Sequence, residues 1–230
     1  MKWVRLITVS GPPSSGKTSI IEKTIQELKK KEIEIAVIKF DCLSTADEMI
    51  YEKKGIKTKL GLSGSLCPDH YFVNNIDACF QWGRQENVDI LITESAGLCN
   101  RCSPHIKEVL SVCVIDNLSG YHTPKKIGPM LKFADIVVIT KGDIVSQAER
   151  EVFAYNVKKV NPHAKILHIN GITGQGAAQL SKLFEIAEDY DSLDEKKLRF
   201  TMPAALCSYC LGETMIGKDY HIGNVKNMNL

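Results

Sequence analysis

Residues 4–21 read Val-Arg-Leu-Ile-Thr-Val-Ser-Gly-Pro-Pro-Ser-Ser-Gly-Lys-Thr-Ser-Ile-Ile, and this stretch decides the architecture. An apolar run from Val4 to Val9 predicts a buried strand, Gly11 to Thr18 fits G-x-x-x-x-G-K-T, and a helical pattern runs on from Lys17 to Lys31. The chemistry follows from the spacing. Glycines let backbone N–H groups turn inward around phosphate oxygens, and the following helix presents its positive end. Lys17 would reach the β- and γ-phosphates and the Thr18 hydroxyl would ligate Mg²⁺. Gly11, Ser14, Ser15, Gly16 and Ser19 complete the candidate phosphate cradle. A chance glycine-rich turn is the bland alternative, but a strand before and a helix after are the context the motif requires.

Outward from this loop, strand-like and helical stretches alternate to the end of the chain. Candidate strands are Val4–Val9, Ile33–Phe40, Ile90–Thr93, Leu110–Ile115, Ile136–Thr140 and Lys165–Ile169, whose Val/Ile-rich runs suit strands buried on both faces. Helical patterns lie at Lys17–Lys31, Thr45–Lys54, Tyr71–Glu86, Ser146–Val160 and Gln175–Glu188. The expected fold is α/β: a three-layer P-loop NTPase domain with a mostly parallel sheet over residues 1–189. Residues 190–230 are expected to form a charged linker and a Cys-containing tail.

Composition narrows the function classes. The 230 residues carry 29 Lys+Arg against 27 Asp+Glu with the signs interspersed, so no basic face points to a nucleic-acid partner. The apolar runs fall far short of the ~20 residues that cross a bilayer, so the chain reads as cytoplasmic. Eight cysteines are out of line for such a chain. Cytosolic thiols stay reduced, which makes metal ligation a candidate role. Cys79 and Cys113 lie within apolar patterns and read as small buried hydrophobes. His105, His122, His163 and His168 read as surface or satisfied structural positions, and Trp3 and Trp82 as packing residues.

Thr140-Lys141-Gly142-Asp143 follows a buried-type strand. A carboxylate there can accept from the N1–H and the exocyclic amine of guanine, a pairing adenine does not offer, while the lysine stem packs over the base. Asp143 and Lys141 therefore point to GTP rather than ATP, and Asn170-Gly171 offers a backbone loop beside the base. Asp41 and Glu94 end two strands at the carboxyl edge of a parallel sheet, where ligands bind, and either can hold Mg²⁺ directly or through water.

Taken together, GPPSSGKTSII, IKFDCLSTADE, ESAG, the stretch VIDNLSGYHTPKKIGPMLKFADIVVITKGD and NGITGQG resemble the SIMIBI-class metallochaperone GTPases, the urease-accessory and hydrogenase nickel-insertion type. The resemblance spans roughly Leu6 to Glu188. It implies a slow, partner-regulated GTPase that works as a homodimer, captures a transition metal of the nickel or zinc class, and delivers it to a client metalloenzyme or its accessory proteins. By the same resemblance Lys17, Thr18, Asp41 and Glu94 serve the phosphates and Mg²⁺, and Lys141 and Asp143 read the base. Where the urease-type member has Cys-Pro-His, this chain has Cys67-Pro-Asp-His70, with Asp69 interposed.

Thiolates with imidazole suit nickel, zinc or an iron–sulfur cluster, and Cys67/His70 pairs from two protomers would give four ligands on a dimer axis. Cys99-Asn-Arg-Cys102 closely follows Glu94, which would wire a metal or cluster there to the γ-phosphate sensor. Cys207-Ser-Tyr-Cys210 lies in the tail and is a metal pair, half a cluster or a redox dithiol. Two further readings stand beside metal delivery: a nucleotide-dependent iron–sulfur carrier using both CxxC pairs, and a nucleotide-sensing adaptor without metal transfer.

Overall fold

The computed structural model describes residues 2–43, 47–201, 214–220 and 226–230, so Cys207 and Cys210 lie outside the described residues. Seven of its strands run parallel: β1 Val4–Ser10, β2 Ile35–Asp41, β3 Lys57–Leu62, β4 Ile90–Ser95, β5 Leu110–Asp116, β6 Ile136–Thr140 and β7 Lys165–His168. They lie in the order β3-β2-β4-β1-β5-β6-β7. A short β8, Asp189–Tyr190, pairs antiparallel with Val4 and Arg5 at the start of β1. The helices are α1 Lys17–Lys29, α2 Asp47–Glu52, α3 Pro68–Gln85, α4 Pro129–Lys132, α5 Gln147–Val160 and α6 Ala177–Glu185. None is long and apolar enough to cross a membrane among the described residues.

Strand alternation builds the layers. Leu6, Ile38 and Leu91 pack on Phe72, Ile76 and Phe80 of α3, whereas their chain neighbours Ile7, Val37 and Ile92 pack on Ile20 and Ile25 of α1 and Leu180 and Phe184 of α6. Val137 and Ile139 of β6 meet Met130 and Leu131 of α4 and Phe153 and Val157 of α5. Each such fully buried side chain contributes about 1.5–3 kcal/mol relative to exposure. α5 starts where the sequence places it, because Ser146 and Glu149 form a reciprocal capping box. Cys79 and Cys113 are fully buried, and burial pushes the Cys113 thiol up to about 12. His105 is also fully buried: its ring lies between the Thr8 and Ser10 hydroxyls and the Met130 carbonyl, and burial brings its pKa down to about 4.

Three features differ from the sequence expectation. β3 was not among the expected strands, because Lys-Thr-Lys-Leu-Gly-Leu alternates charge instead of running apolar. As the edge strand it needs only one covered side, and the exposed Lys57 and half-buried Lys59 protect the edge. Trp3 is not a packing residue; it is 55% exposed, while Trp82 is buried.

The charged stretch after Asp189 is docked. Tyr190, Leu193 and Leu198 are buried in the α3-side core, and Arg199 uses every N–H of its guanidinium. Nε donates to Ile106 O, Nη1 to Phe133 O and Asp135 Oδ1, and Nη2 to Val109 O and Asp135 Oδ2. The last described residues strap onto α3, where Asn75 Nδ2 donates to Lys226 O and Met228 N donates to Asn75 Oδ1.

Candidate nucleotide site and thiol cluster

The parallel sheet sends the ends of β1, β2, β4, β5, β6 and β7 to one edge, and the sequence-predicted site residues collect there. Gly11 to Gly16 form the turn between β1 and α1. Gly11 has φ 144 and lies so close to β5 that a Cβ would come within 2.0 Å of Val114 O, so only glycine fits. Lys17 is buried and its Nζ donates to Gly11 O and Pro12 O, both at 2.9 Å, and to Ala96 O at 3.4 Å. Burial lowers the Lys17 pKa, and the Glu94 carboxylate opposes that shift.

Glu94 is the hub of the phosphate end. Its Oε1 accepts from Thr18 Oγ1 at 2.7 Å and from Lys39 Nζ at 3.2 Å, and its Oε2 accepts from Tyr51 OH at 2.7 Å. Register explains the ion pair, since Lys39 and Glu94 are partners on the adjacent strands β2 and β4. Asp41, at the end of β2, accepts from Cys42 N at 2.7 Å. A cavity of about 490 Å³ is lined by Ser14, Gly16, Lys17, Thr18, Ser19, Lys39, Asp41 and Glu94.

A second cavity, about 310 Å³, opens beside the ends of β6 and β7 and is lined by Asp143, Asn170, Gly176 and Arg150, among others. Thr140 ties this end to the phosphate loop, donating from Oγ1 to Ser15 O at 2.7 Å, and Lys141 Nζ donates to Ser14 O at 2.8 Å. Asn170 shapes the neighbouring turn: its Oδ1 accepts from Ile172 N and Thr173 N. Gly171 sits against Ser19, where an added Cβ would stand 3.1 Å from the serine Cβ. The cavity beside Asp143 and the larger one around Lys17 are thus linked through the Ser14–Thr18 loop, to which Thr140 and Lys141 bond. A nucleoside triphosphate with Mg²⁺ fits these residues, and the buried Ser15 Oγ has no protein hydrogen-bond partner, which leaves a polar atom for such a ligand.

The cysteines divide differently from the sequence expectation. Cys67, Asp69 and Cys102 each offer a ligand atom, and these atoms lie within 4.8 Å of one another. His70 and Cys99 are not in this group among the described residues: His70 is buried in the first turn of α3, and Cys99 is half-buried. The physical reason is helix geometry. Cys67 caps α3 and Pro68 opens it, so Asp69 and His70 are separated by about 100° around the axis and cannot both face Cys102. Asp69 is 2% exposed with Oδ1 unpartnered, and burial together with Cys67 raises its carboxyl to about 7. A hydrogen bond to Cys67 and burial hold the Cys102 thiol well above the usual cysteine range.

Sequence reading passed over Lys39, Tyr51 and Asp69. Lys39 had a signal, being a charge within an otherwise apolar strand. Asp69 had one in its place between Cys67 and His70. Tyr51 has none, because its role depends on how α2, packed beside β3, brings its hydroxyl to Glu94.

Comparison with known proteins places the arrangement. The sequence matches the CobW/HypB/UreG nucleotide-binding domain over residues 5–168. An uncharacterized protein of Methanocaldococcus jannaschii is 44% identical over 226 residues, covering 98% of this chain and 97% of that one. The urease accessory protein UreG of Edwardsiella ictaluri is 31% identical over 195 residues, covering 78% of this chain and 92% of its own. The crystal structure of the hydrogenase maturation factor HypB from Archaeoglobus fulgidus shares the fold with a TM-score of 0.63 at 24% identity, covering 79% of this chain and 89% of that one. HypB from Helicobacter pylori, solved in complex with nickel, also has a TM-score of 0.63, at 20% identity, with 79% and 86% of the two chains covered. With the match spanning the sheet from β1 to β7, the chain belongs to the CobW/HypB/UreG family of nucleotide-binding domains.

Proposed function

We propose that this protein is a GTPase metallochaperone that captures a thiophilic transition metal, of the nickel or zinc class, and releases it to a client metalloenzyme or its accessory proteins. One observation carries the reading. The segment leaving β4 serves both sites, with Glu94 and Ala96 bonded to the phosphate-loop residues Thr18 and Lys17, and Cys102 in the thiol cluster a few residues on. A change at the phosphate end is therefore transmitted to a metal ligand through very little chain.

Lys17 and the cradle of Gly11, Ser14, Ser15 and Gly16 bind and orient the phosphates, Ser19 closes the first turn, and Asp143 and Lys141 select guanine with Asn170 and Gly171 beside the base. Mg²⁺, when bound, supplies charge neutralisation at the β- and γ-oxygens. Thr18, Asp41 and Glu94 are the residues that would hold it. Positioning and electrostatics, rather than a covalent step, account for hydrolysis at such a site, and turnover without a partner is slow.

The cargo metal is a substrate. Cys67, Asp69 and Cys102 supply two sulfurs and one oxygen, a set that suits zinc or nickel and leaves a position for solvent, a second copy of the chain or the receiving protein. Binding requires the thiols and the Asp69 carboxyl to lose their protons, and the metal would give the unpartnered buried Asp69 oxygen a partner. We infer a homodimer as the working form, located in the cytoplasm.

The test is metal content and oligomeric state with and without GTP, in wild type and Cys67→Ala, alongside hydrolysis of GTP and ATP. Nickel or zinc held at one ion per chain, lost in Cys67→Ala and released on hydrolysis, is the expected result. Preference for ATP would overturn the guanine assignment, and unchanged metal content in Cys67→Ala would move the cargo elsewhere. Anaerobic preparation and visible absorbance distinguish the iron–sulfur reading, which calls for four thiolates where the described residues gather two.

A further inference from the structure

Lys39 is the least expected residue of the phosphate end. It sits on β2, is 5% exposed, and lines the phosphate cavity. Its Nζ is 3.4 Å from Thr18 Oγ1 and 3.2 Å from Glu94 Oε1. Those are two of the oxygens that the strand–loop–helix motif and the β4 carboxylate reserve for a divalent ion. Thr18 Oγ1 donates to Glu94 and accepts from Lys39, so the ammonium already occupies acceptor capacity of the hydroxyl oxygen that the ion would use.

We infer that Lys39 is a tethered monovalent stand-in for Mg²⁺, so that the divalent ion enters this site by displacing an ammonium group from Thr18 and Glu94. This rests on the nucleotide reading above. Mg²⁺ takes oxygen ligands at about 2.0–2.1 Å in strict octahedral geometry, whereas an ammonium nitrogen settles near 3 Å from its acceptors. Both cannot serve the same pair of oxygens, and two cations that close in a partly buried site repel strongly. Tyr51 and Thr18 keep donating to Glu94 in either state, so the carboxylate stays supported while the cation beside it changes.

Two consequences separate this from a plain buried ion pair. Lys39 supplies positive charge to the phosphates when no divalent ion is present, so nucleotide binding tolerates chelation. It also competes with Mg²⁺, so removing its charge tightens the divalent ion.

The experiment measures binding of a fluorescent GDP analogue to the full chain, titrated from excess chelator into Mg²⁺, with Mn²⁺ binding followed in parallel by electron paramagnetic resonance. Wild type, Lys39→Met and the charge-keeping Lys39→Arg are compared, with thermal unfolding as a check on folding. Wild type should lose less than about tenfold in nucleotide affinity on chelation. In Lys39→Met the divalent midpoint should fall by at least about tenfold and chelated binding should be lost, while Lys39→Arg stays near wild type. Equal divalent midpoints in wild type and Lys39→Met would overturn the inference and leave Lys39 a structural partner of Glu94. If Lys39→Met does not fold, wild type decides alone: a loss beyond about a hundredfold on chelation overturns it. Absence of guanine-nucleotide binding by wild type at every Mg²⁺ concentration would instead remove the nucleotide reading itself.

Discussion

Thr18 Oγ1 donates to Glu94 Oε1 at 2.7 Å, a bond that joins the first turn of α1 to the end of β4 across 76 residues of sequence. Because Tyr51 OH donates to the other oxygen of the same carboxylate, the two hydroxyls share one acceptor group and their losses should couple. Thr18→Ala and Tyr51→Phe should each lower stability by about 1–2 kcal/mol, and the double variant should depart from their sum. Urea unfolding of the four-member cycle checks this; strict additivity would mean that Glu94 does not link the two elements.

Asp143 is expected to choose the base. Asp143→Asn exchanges a pure acceptor for a side chain that also donates, which suits the 2-oxo group of xanthine and opposes the guanine amine. Affinity for GDP should fall by about a hundredfold, with a gain for the xanthine nucleotide, in competitive binding. Unchanged preference would remove Asp143 from base recognition.

The thiol cluster carries a pH signature. Asp69 rises from 3.8 to about 7 because it is buried beside Cys67. The folded, metal-free protein therefore holds a proton that the unfolded chain releases, and its stability from this group is full below about pH 4 and lost as pH climbs towards about 7. The span is on the order of 4 kcal/mol. Denaturant midpoints in chelator and reductant should fall between about pH 4 and about pH 7, and Asp69→Asn should flatten that slope. A slope identical in both proteins would show that Asp69 ionises normally.

Gly97 should tolerate no side chain. It has φ 72 and an added Cβ would stand 1.7 Å from Gly11 O, backbone against backbone, so a side chain there would push the phosphate loop and the segment after β4 apart. Gly97→Ala should cost more than about 2 kcal/mol and disturb nucleotide and metal binding together. Loss of one binding function with the other intact would show that the two sites are not joined through this contact.

Much of the nucleotide site could be read in advance because a phosphate loop is a local device. Gly11 to Thr18 dictate a turn and a helix start within eight positions, and buried parallel strands announce themselves by unbroken Val and Ile. β3 escaped because an edge strand with alternating lysines resembles a polar loop. Arg199 escaped because its acceptors come from Ile106, Val109, Phe133 and Asp135, which are adjacent only once β5 and β6 are side by side. The thiol cluster was half legible. Cys67 and Cys102 stand out by type, but the choice of Asp69 over His70 belongs to the angular phase of α3, fixed where Pro68 starts the helix.

Lys17 bonds to three carbonyls of its own chain, one of them Ala96 O, so the protein at rest is a closed latch. A phosphate bound by Lys17, as proposed, would trade places with carbonyls already engaged, and the enthalpy gained would be the difference between two sets of bonds. Such a latch is reversible by small changes in ligand charge. Under the proposed function, loss of one phosphoryl group would return Lys17 to Ala96, at the start of the segment that runs from β4 to Cys102, and so would give the switch its direction in time.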